Sequence, residues 1–482
     1  MKTTMARVAA AAVAVLCAAG CRTTQEVLKD YEVNLSTGNY SGSVAELTEL
    51  AEKQDGSQLL WRLMAAHALY MMNDREAAIR QFDLAERVQQ ANDMKSVFAK
   101  GGEGALAMMT NDRVFDYDGG GLDRIFTCLY RAIDFMSLGD ADSARVELNR
   151  AAQYQSNWIY DRRKELDAAD ARMRSDAAAY QSGRNVQAQD YSSSVNGALA
   201  DASFSGMVRE HTGFDPATSG DLSRLSAAEY FNSYAAHMTG VFRWLNGDKA
   251  RDALRLAAGF NPNCPVAVRD FAEYEKDAKP KNQVWIWVED GLCPSREEWR
   301  FDLPSFLVPF VGDYLLYLGM ALPTLRERAY GATQWNVVAG GAAQPMAELQ
   351  SVDRLARTEY DVYMRGALRR EITRVLVKAG VQIALGVTSE NVSDDNTRIA
   401  LKVAQIGTAV WAGTTTAADL RCWTSLPKRV MAARVDRPSD GLLHITADTQ
   451  DIQVRVPDGN TFVFLRKAGP TAMPVVKQVT FR

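Results

Sequence analysis

Histidine and runs of like charge are scarce in this chain, and each shortage argues against a class of protein. Only four histidines occur among 482 residues, and none has a second histidine at the spacing that a zinc-binding helix needs. The formal net charge is -4, with acidic and basic residues mixed along the chain, so there is no basic footprint for nucleic acid or for a membrane surface. The sequence also lacks a P-loop, a G-x-G-x-x-G loop and a G-x-S-x-G elbow. We therefore expect no cofactor, no metal and no nucleic-acid partner.

Cysteine is sparse too, with six residues and no CxxC pair. Four of the six are widely spaced in the body of the chain. They are Cys128, Cys264, Cys293 and Cys422. In an oxidising compartment such residues form a disulfide or stay as buried free thiols, and Cys264 with Cys293 is the nearest pair in sequence. The sequence leaves both alternatives open.

The first apolar run is short. It extends from Val8 to Leu16, follows two basic residues and precedes Ala18-Ala19-Gly20-Cys21. A cationic start, an apolar stretch too short to span a bilayer and small residues before a cleavage point indicate a secretory signal peptide over residues 1–20. The ending resembles a lipobox, which implies a lipid with palmitate-type chains on Cys21 and a linker over residues 21–30. Because Ala18 stands where leucine is usual, cleavage to a soluble periplasmic protein is the alternative.

Residues 31–277 show helical apolar spacing with recurring turns. Two helices are predicted on either side of Asn73-Asp74, and Ala78, Phe82 and Ala85 follow on one helix face. Similar turns, each followed by small or apolar residues at helical spacing, occur at Gly38, Gly139 and Gly247. This arrangement is typical of tetratricopeptide (TPR) helix pairs. We predict an irregular TPR-like region that also contains a charged helix over residues 160–174 and a polar loop over residues 181–196.

Residues 278–482 have a mixed pattern, which predicts an α+β C-terminal domain with an antiparallel sheet. A strand is predicted over residues 282–288, and helices are predicted over residues 355–384 and 398–412. Lys402 and the short length argue against a membrane span in the second helix. Further strands are predicted over residues 442–447, 451–456 and 461–467. The turn Pro457-Asp458-Gly459-Asn460 predicts that the last two form a hairpin.

Two segments are dense enough in polar and aromatic residues to be considered as sites. Residues 115–123, which contain Tyr117, have aspartates and a glycine at some of the positions of a calcium-binding loop. Two of the ligands of such a loop are missing. A loop closing onto a helix that starts near Leu122 is the favoured interpretation. Residues 419–427 form either a pocket lining or a structural corner with paired charges. The candidate ligand- or partner-binding residues are Tyr117, Asp290, Asp419, Arg421 and Trp423.

Several short motifs, in this order, resemble an uncharacterised family of bacterial TPR-containing envelope lipoproteins over nearly the whole mature chain. Besides the lipobox, they are Tyr117-x-Gly119, Leu138-Gly139-Asp140, the segment Ala144 to Arg150, Gly247-Asp248, Val288 to Gly291, Ala321-Leu322-Pro323 and the corner from Asp419 to Pro427. The resemblance implies an envelope role near lipoproteins that regulate peptidoglycan synthases, and it brings no catalytic residue. Cys422 and the polar stretch over residues 181–196 depart from the family pattern.

These observations lead to the hypothesis of a membrane-anchored, non-catalytic scaffold that binds unidentified envelope proteins. Its expected place is the periplasmic side of the outer membrane. The alternative is that the C-terminal domain binds or processes a cell-wall-related ligand through Glu289, Asp290, Asp419 and Arg421. A structural spacer in an envelope complex is a third interpretation that the sequence does not separate from the first.

Overall fold

The computed structural model describes residues 23–53, 55–98, 112–182, 190–304, 318–339, 341–391, 394 and 416–481. Helices fill most of the N-terminal half, and a C-terminal region rich in antiparallel strands follows. This confirms the order of a mainly helical region before a region that contains sheets. The predicted signal peptide, Cys21 and the predicted helix over residues 398–412 lie outside the described ranges.

The helices before the first strand lie between residues 24 and 275. They are α1 (Thr24–Thr37), α2 (Tyr40–Glu52), α3 (Gln58–Met71), α4 (Arg75–Phe98), α5 (Gly121–Ser137), α6 (Ala141–Ser182), α7 (Ser192–Ala200), α8 (Ala202–Thr212), α9 (Ala227–Tyr230), α10 (Ser233–Leu245), α11 (Arg251–Phe260) and α12 (Pro265–Glu275), with a 3-10 turn at Asp112–Val114. A further long helix, α13 (Val352–Asn391), lies among the strands. Among the described residues, no helix is both long enough and apolar enough to cross a membrane.

Two predicted linkers are partly helical. Helix α1 includes residues 24–30 because Thr23 and Glu26 form a capping box that satisfies its first N–H groups. Helix α7 begins inside the predicted polar loop, where Asp190 accepts a hydrogen bond from the Ser192 N–H and Val195 is buried. The charged helix predicted over residues 160–174 is part of the longer α6. The polar loop prediction is therefore wrong for residues 181–182, which belong to α6, and for residues 192–196, where an apolar helix face outweighs the polar composition.

Four pairs of consecutive helices are joined by the same kind of turn. The turn residue has a positive φ at Gly38, Asn73, Gly139 and Gly247. In each turn the N–H of the next residue donates to a carbonyl five positions earlier, the six-to-one bond of a Schellman motif. These bonds join Asn39 to Asn34, Asp74 to Leu69, Asp140 to Phe135 and Asp248 to Arg243. The predicted turn positions are confirmed. They could be predicted because the geometry of such a turn depends on neighbouring residues.

The strands form three sheets. They are β1 (Gln283–Asp290), β2 (Ser295–Asp302), β3 (Gly319–Arg326), β4 (Trp335–Ala339), β5 (Ala342–Pro345), β6 (Ala347–Ser351), β7 (Arg429–Asp436), β8 (Leu442–Ala447), β9 (Gln450–Arg455), β10 (Asn460–Lys467) and β11 (Val475–Phe481). The strand orders are β11-β10-β1-β7-β6, β2-β3 and β5-β4-β8-β9. All neighbours are antiparallel except β1 and β10, which run parallel.

The predicted hairpin between residues 451–456 and 461–467 is wrong. Strand β9 pairs with β8 at the edge of the four-stranded sheet, whereas β10 lies between β1 and β11 in the five-stranded sheet. Burial explains the separation: alternate residues of β9 are exposed, but β10 is buried on both faces. A strand that is buried on both faces suits a parallel neighbour such as β1.

The five-stranded sheet is covered on both faces. Trp287 and Phe464 on one face belong to the same hydrophobic cluster as helices α1 to α6 and α10. Ile286 and Val463 on the other face pack with residues of the four-stranded sheet. One core therefore continues across residues 277 and 278, where the sequence predicts a domain boundary. A second core joins α7, α8, β3 and α13.

The four described cysteines are free thiols, three of them fully buried. The disulfide alternative for Cys264 and Cys293 is therefore wrong in this structure. Burial raises the pKa of every one of these thiols, which favours their neutral, unreactive form.

We expect Gly139→Ala to destabilise the protein through the turn between α5 and α6. Gly139 has φ +81°, and no heavy atom lies within 4 Å of an added Cβ, so the cost is conformational, about 1–2 kcal/mol. Gly206→Ala is the matched control, because Gly206 lies inside α8 with nothing within 4 Å and alanine favours a helix by roughly 0.5–1 kcal/mol.

Urea unfolding followed by circular dichroism measures both changes. The midpoint should fall for the turn variant and rise slightly for the control. Equal midpoints for Gly139→Ala and the wild type would contradict the role given to the turn.

Candidate functional site

A buried segment with neither helix nor strand extends from residue 416 to residue 428; we call it the central segment. Buried carbonyls without a sheet partner need other donors, and three arginine side chains supply them. Arg296 donates to the Arg421 carbonyl, Arg328 donates to the Thr424 carbonyl, and Arg466 donates to the Ser425 carbonyl. The central segment is thus held in place by side chains from distant parts of the sequence.

Three of the five candidate residues meet at one end of the central segment. Arg421 pairs with Asp419 through two hydrogen bonds of 2.8 Å and donates to the Gly56 carbonyl at 2.7 Å. Its guanidinium lies 5.9 Å from the centre of the Tyr117 ring. Only 4% of the Arg421 side chain is exposed. The pair therefore serves as a structural corner that joins the central segment to the loop before α3.

The other two candidates lie elsewhere. Trp423 is buried in the main core, where its ring is 6.0–6.3 Å from the rings of His67, Phe82 and Tyr130. Asp290 has no exposed surface and accepts hydrogen bonds from Arg429 Nε at 2.9 Å and from the Ala332 N–H at 3.0 Å. These two residues do not form one site with Tyr117, Asp419 and Arg421.

The groups of the cell-wall-ligand alternative are likewise dispersed. Glu289 is buried and accepts hydrogen bonds from Tyr130 at 3.0 Å and Tyr234 at 3.2 Å. It therefore lies among the tyrosines of the core, while Asp290 pairs with Arg429 and Asp419 with Arg421. The described contacts place these carboxylates in three separate clusters.

A buried histidine–aspartate pair is structural. His237 Nε2 lies 2.8 Å from Asp270 Oδ2, and neither side chain is exposed. Trp287 Nε1 donates to His237 Nδ1 at 3.1 Å. An indole nitrogen is only a donor, so Nδ1 is the acceptor and Nε2 carries the proton towards Asp270. The network ties α10 and α12 to β1.

The glycine-rich loop before α5 allows close packing of two other helices. A Cβ on Gly120 would collide with Glu359 of α13, and one on Gly121 would collide with Trp158 of α6. Among the described residues, no group of three or more His, Cys, Asp or Glu side chains is placed to hold a metal ion. The loop closes onto a helix that begins at Gly121 with Asp123 in its first turn, as the favoured interpretation predicts.

A small cleft opens beside this loop, and we call it the aromatic cleft. It has a volume of about 220 Å³, including space open to solvent. Its lining residues come from α5, α6, α9 and α13. They are Leu122, Ile125, Trp158, Tyr230, Leu355 and Glu359.

Two interactions shape the aromatic cleft. The rings of Trp158 and Tyr230 stack with centres 4.9 Å apart and planes inclined by 8°. Glu359 Oε1 accepts hydrogen bonds from Trp158 Nε1 at 2.6 Å and from the Leu122 N–H at 3.1 Å. A carboxylate at the N-terminus of α5 is favoured by the helix dipole. The cleft thus presents the partly exposed Tyr230 ring beside the carboxylate of Glu359.

Sequence reasoning identified the neighbouring Tyr117 but missed Trp158, Tyr230 and Glu359. The three residues are far apart in the chain, and each looks like an ordinary helix position. The aromatic residues in the charged part of α6 are the only local signal.

The stability of the loop should depend on pH through Asp123. Burial raises the pKa of this carboxyl group to about 6, the charge of Glu359 acts in the same direction, and the hydrogen bond from Tyr117 opposes both. Between about pH 4 and pH 6 the folded state then binds more protons than the unfolded state, so stability falls as pH rises. The shift corresponds to about 3 kcal/mol across this range.

Asp123→Asn should remove this contribution. Urea unfolding at pH 4, 5, 6 and 7 should show a wild-type stability that falls relative to the variant as pH rises. Asp252→Asn is the control, since 82% of the Asp252 side chain is exposed, and it should keep the wild-type profile. Parallel profiles of stability against pH for Asp123→Asn and the wild type would contradict the prediction.

Comparison of the chain with family models, with curated proteins and with solved structures finds no match in any of the three.

Proposed function

We propose that this protein is a lipid-anchored, non-catalytic scaffold of the bacterial cell envelope that binds other proteins through TPR-like helical hairpins. The observation that carries the proposal is the turn shared by four helix pairs, each closed by the same six-to-one hydrogen bond. Repeated helical hairpins stack into extended surfaces that bind segments of partner proteins.

The packing after these turns supports the resemblance to TPR repeats. After Gly139, the residues at the fifth, ninth and twelfth positions are Ala144, Leu148 and Ala151, and all three are buried. After Asn73, the same positions hold Ala78, Phe82 and Ala85, which are also buried. Small residues at these positions let a neighbouring helix approach closely. The Gly247 turn departs from this register, in keeping with an irregular array.

The aromatic cleft is the binding surface that we favour. It is open to solvent, and helices from both halves of the chain line it. Binding energy concentrates where an aromatic or aliphatic side chain fills a pocket, and the partly exposed Tyr230, stacked on the buried Trp158, borders this opening. A partner segment with one apolar anchor residue beside a basic residue would match the stacked rings and the charge of Glu359.

Photo-crosslinking tests this surface. A photoreactive amino acid in place of Tyr230 should give a discrete adduct with an envelope protein. The same residue in place of Val268, which is 42% exposed on α12, is the control. Adducts that are absent at position 230, or identical at both positions, would contradict binding at the aromatic cleft.

Membrane attachment should depend on Cys21. We expect mass spectrometry of the mature N-terminus to find a diacylglycerol on Cys21, and the protein to fractionate with the outer membrane. Cys21→Ser should move it to the soluble or unprocessed fraction, whereas Cys128→Ser should leave the attachment unchanged. An unmodified mature N-terminus in the soluble fraction would instead favour a freely diffusing periplasmic protein.

A further inference from the structure

A stripe of buried polar residues runs along one side of α13. Its members are three or four positions apart, so they face the same direction. They are Glu371, Arg374, Lys378 and Gln382, with exposures of 6%, 2%, 4% and 0%. Such residues are almost never fully buried unless they are paired. We therefore expect each charged residue of the stripe to have a partner.

The four charged groups near Lys378 pair with one another. Asp112 Oδ2 accepts from Arg370 Nη2 at 2.6 Å, and Asp112 Oδ1 accepts from Arg374 Nη2 at 2.7 Å. Arg374 also forms an ion pair with Glu371. With Lys378 protonated, this group holds three positive and two negative charges. The excess positive charge lies at Lys378.

Lys378 differs from these neighbours because it has no direct partner among the described residues. No hydrogen bond or ion pair joins its Nζ to any residue in the described part of the chain. The residues on either side of it, Val377 and Ala379, have no exposed surface. A charge buried in this way costs free energy unless a counter-charge is present.

The simple alternative to a bound counter-ion is that Lys378 loses its proton, but this loss is incomplete at neutral pH. Burial lowers the pKa of Lys378 to about 8, the charge of Arg374 acts in the same direction, and Glu371 opposes both. An amine with a pKa near 8 is still partly protonated at neutral pH. Its ammonium form has no direct ion-pair partner among the described residues, and the nearby carboxylate of Glu371 is already paired with Arg374.

We propose that Lys378, beside Arg374, binds an anionic oxygen group of a ligand, a carboxylate or a phosphate. An ammonium group suits such an anion as a point charge with three donors. Ile372, Val375 and Leu376 of the same helix are apolar, so the probes include an anion that carries a hydrocarbon chain. This site is distinct from the aromatic cleft and does not depend on the scaffold proposal.

Calorimetric titration of the full-length chain carrying Cys21→Ser tests the proposal at constant ionic strength. The probes are inorganic phosphate, acetate and octanoate. Lys378→Met should weaken binding at least tenfold, while Lys378→Arg, which keeps the charge, should retain most of it. Lys249→Met is the matched control, because Lys249 is exposed and lies in the turn between α10 and α11.

The outcomes are distinct. Tighter binding of octanoate than of acetate, lost in Lys378→Met, would support the site and identify an amphiphile as ligand. Equal binding of both, or binding of phosphate alone, with the same loss would support it with a free anion as ligand. If Lys378→Met does not fold, the test uses the wild type instead. The side-chain NMR resonance of Lys378 should then shift when a probe is added. Failure of all three probes to bind, or equal binding by wild type and Lys378→Met, would overturn the proposal.

Discussion

The carbonyl groups of the central segment need donors, because this buried stretch is itself neither strand nor helix. Arginines from β2, from the loop after β3 and from β10 supply them, while Arg421 of the segment reaches the Gly56 carbonyl. Leaving one such buried group without a partner costs about 1–3 kcal/mol. The segment therefore ties the strands to the first helices, and both regions depend on the same hydrogen bonds.

The same dependence appears in the main core. Trp285 and Trp287 of β1 alternate with Ile286, so one face of the strand meets the helices and the other meets the four-stranded sheet. The helical region cannot lose the sheet without exposing its own apolar faces. Helices that cover a sheet in this way are more constrained than those of a free solenoid, in which each repeat contacts only its neighbours.

Helix α13 connects the two proposed sites. Glu359 near its start anchors Trp158 and the N-terminus of α5 beside the aromatic cleft. Lys378, about five turns further along, sits in the second core among apolar residues. A ligand that holds the distal part of α13 would act on the same rigid element that shapes the cleft.

Features that depend on neighbouring residues could be predicted from the sequence. A glycine followed by aspartate, as at Gly139-Asp140, indicates a helix end because a positive φ and an N-cap are local properties, and the apolar run at residues 284–288 indicates a strand. Long-range packing determines that β10 pairs with β1 rather than with β9, that Tyr117 lies near Arg421, and that Trp158, Tyr230 and Glu359 line one cleft. These contacts join residues far apart in the chain, where burial and partner availability, which no local pattern records, determine the outcome.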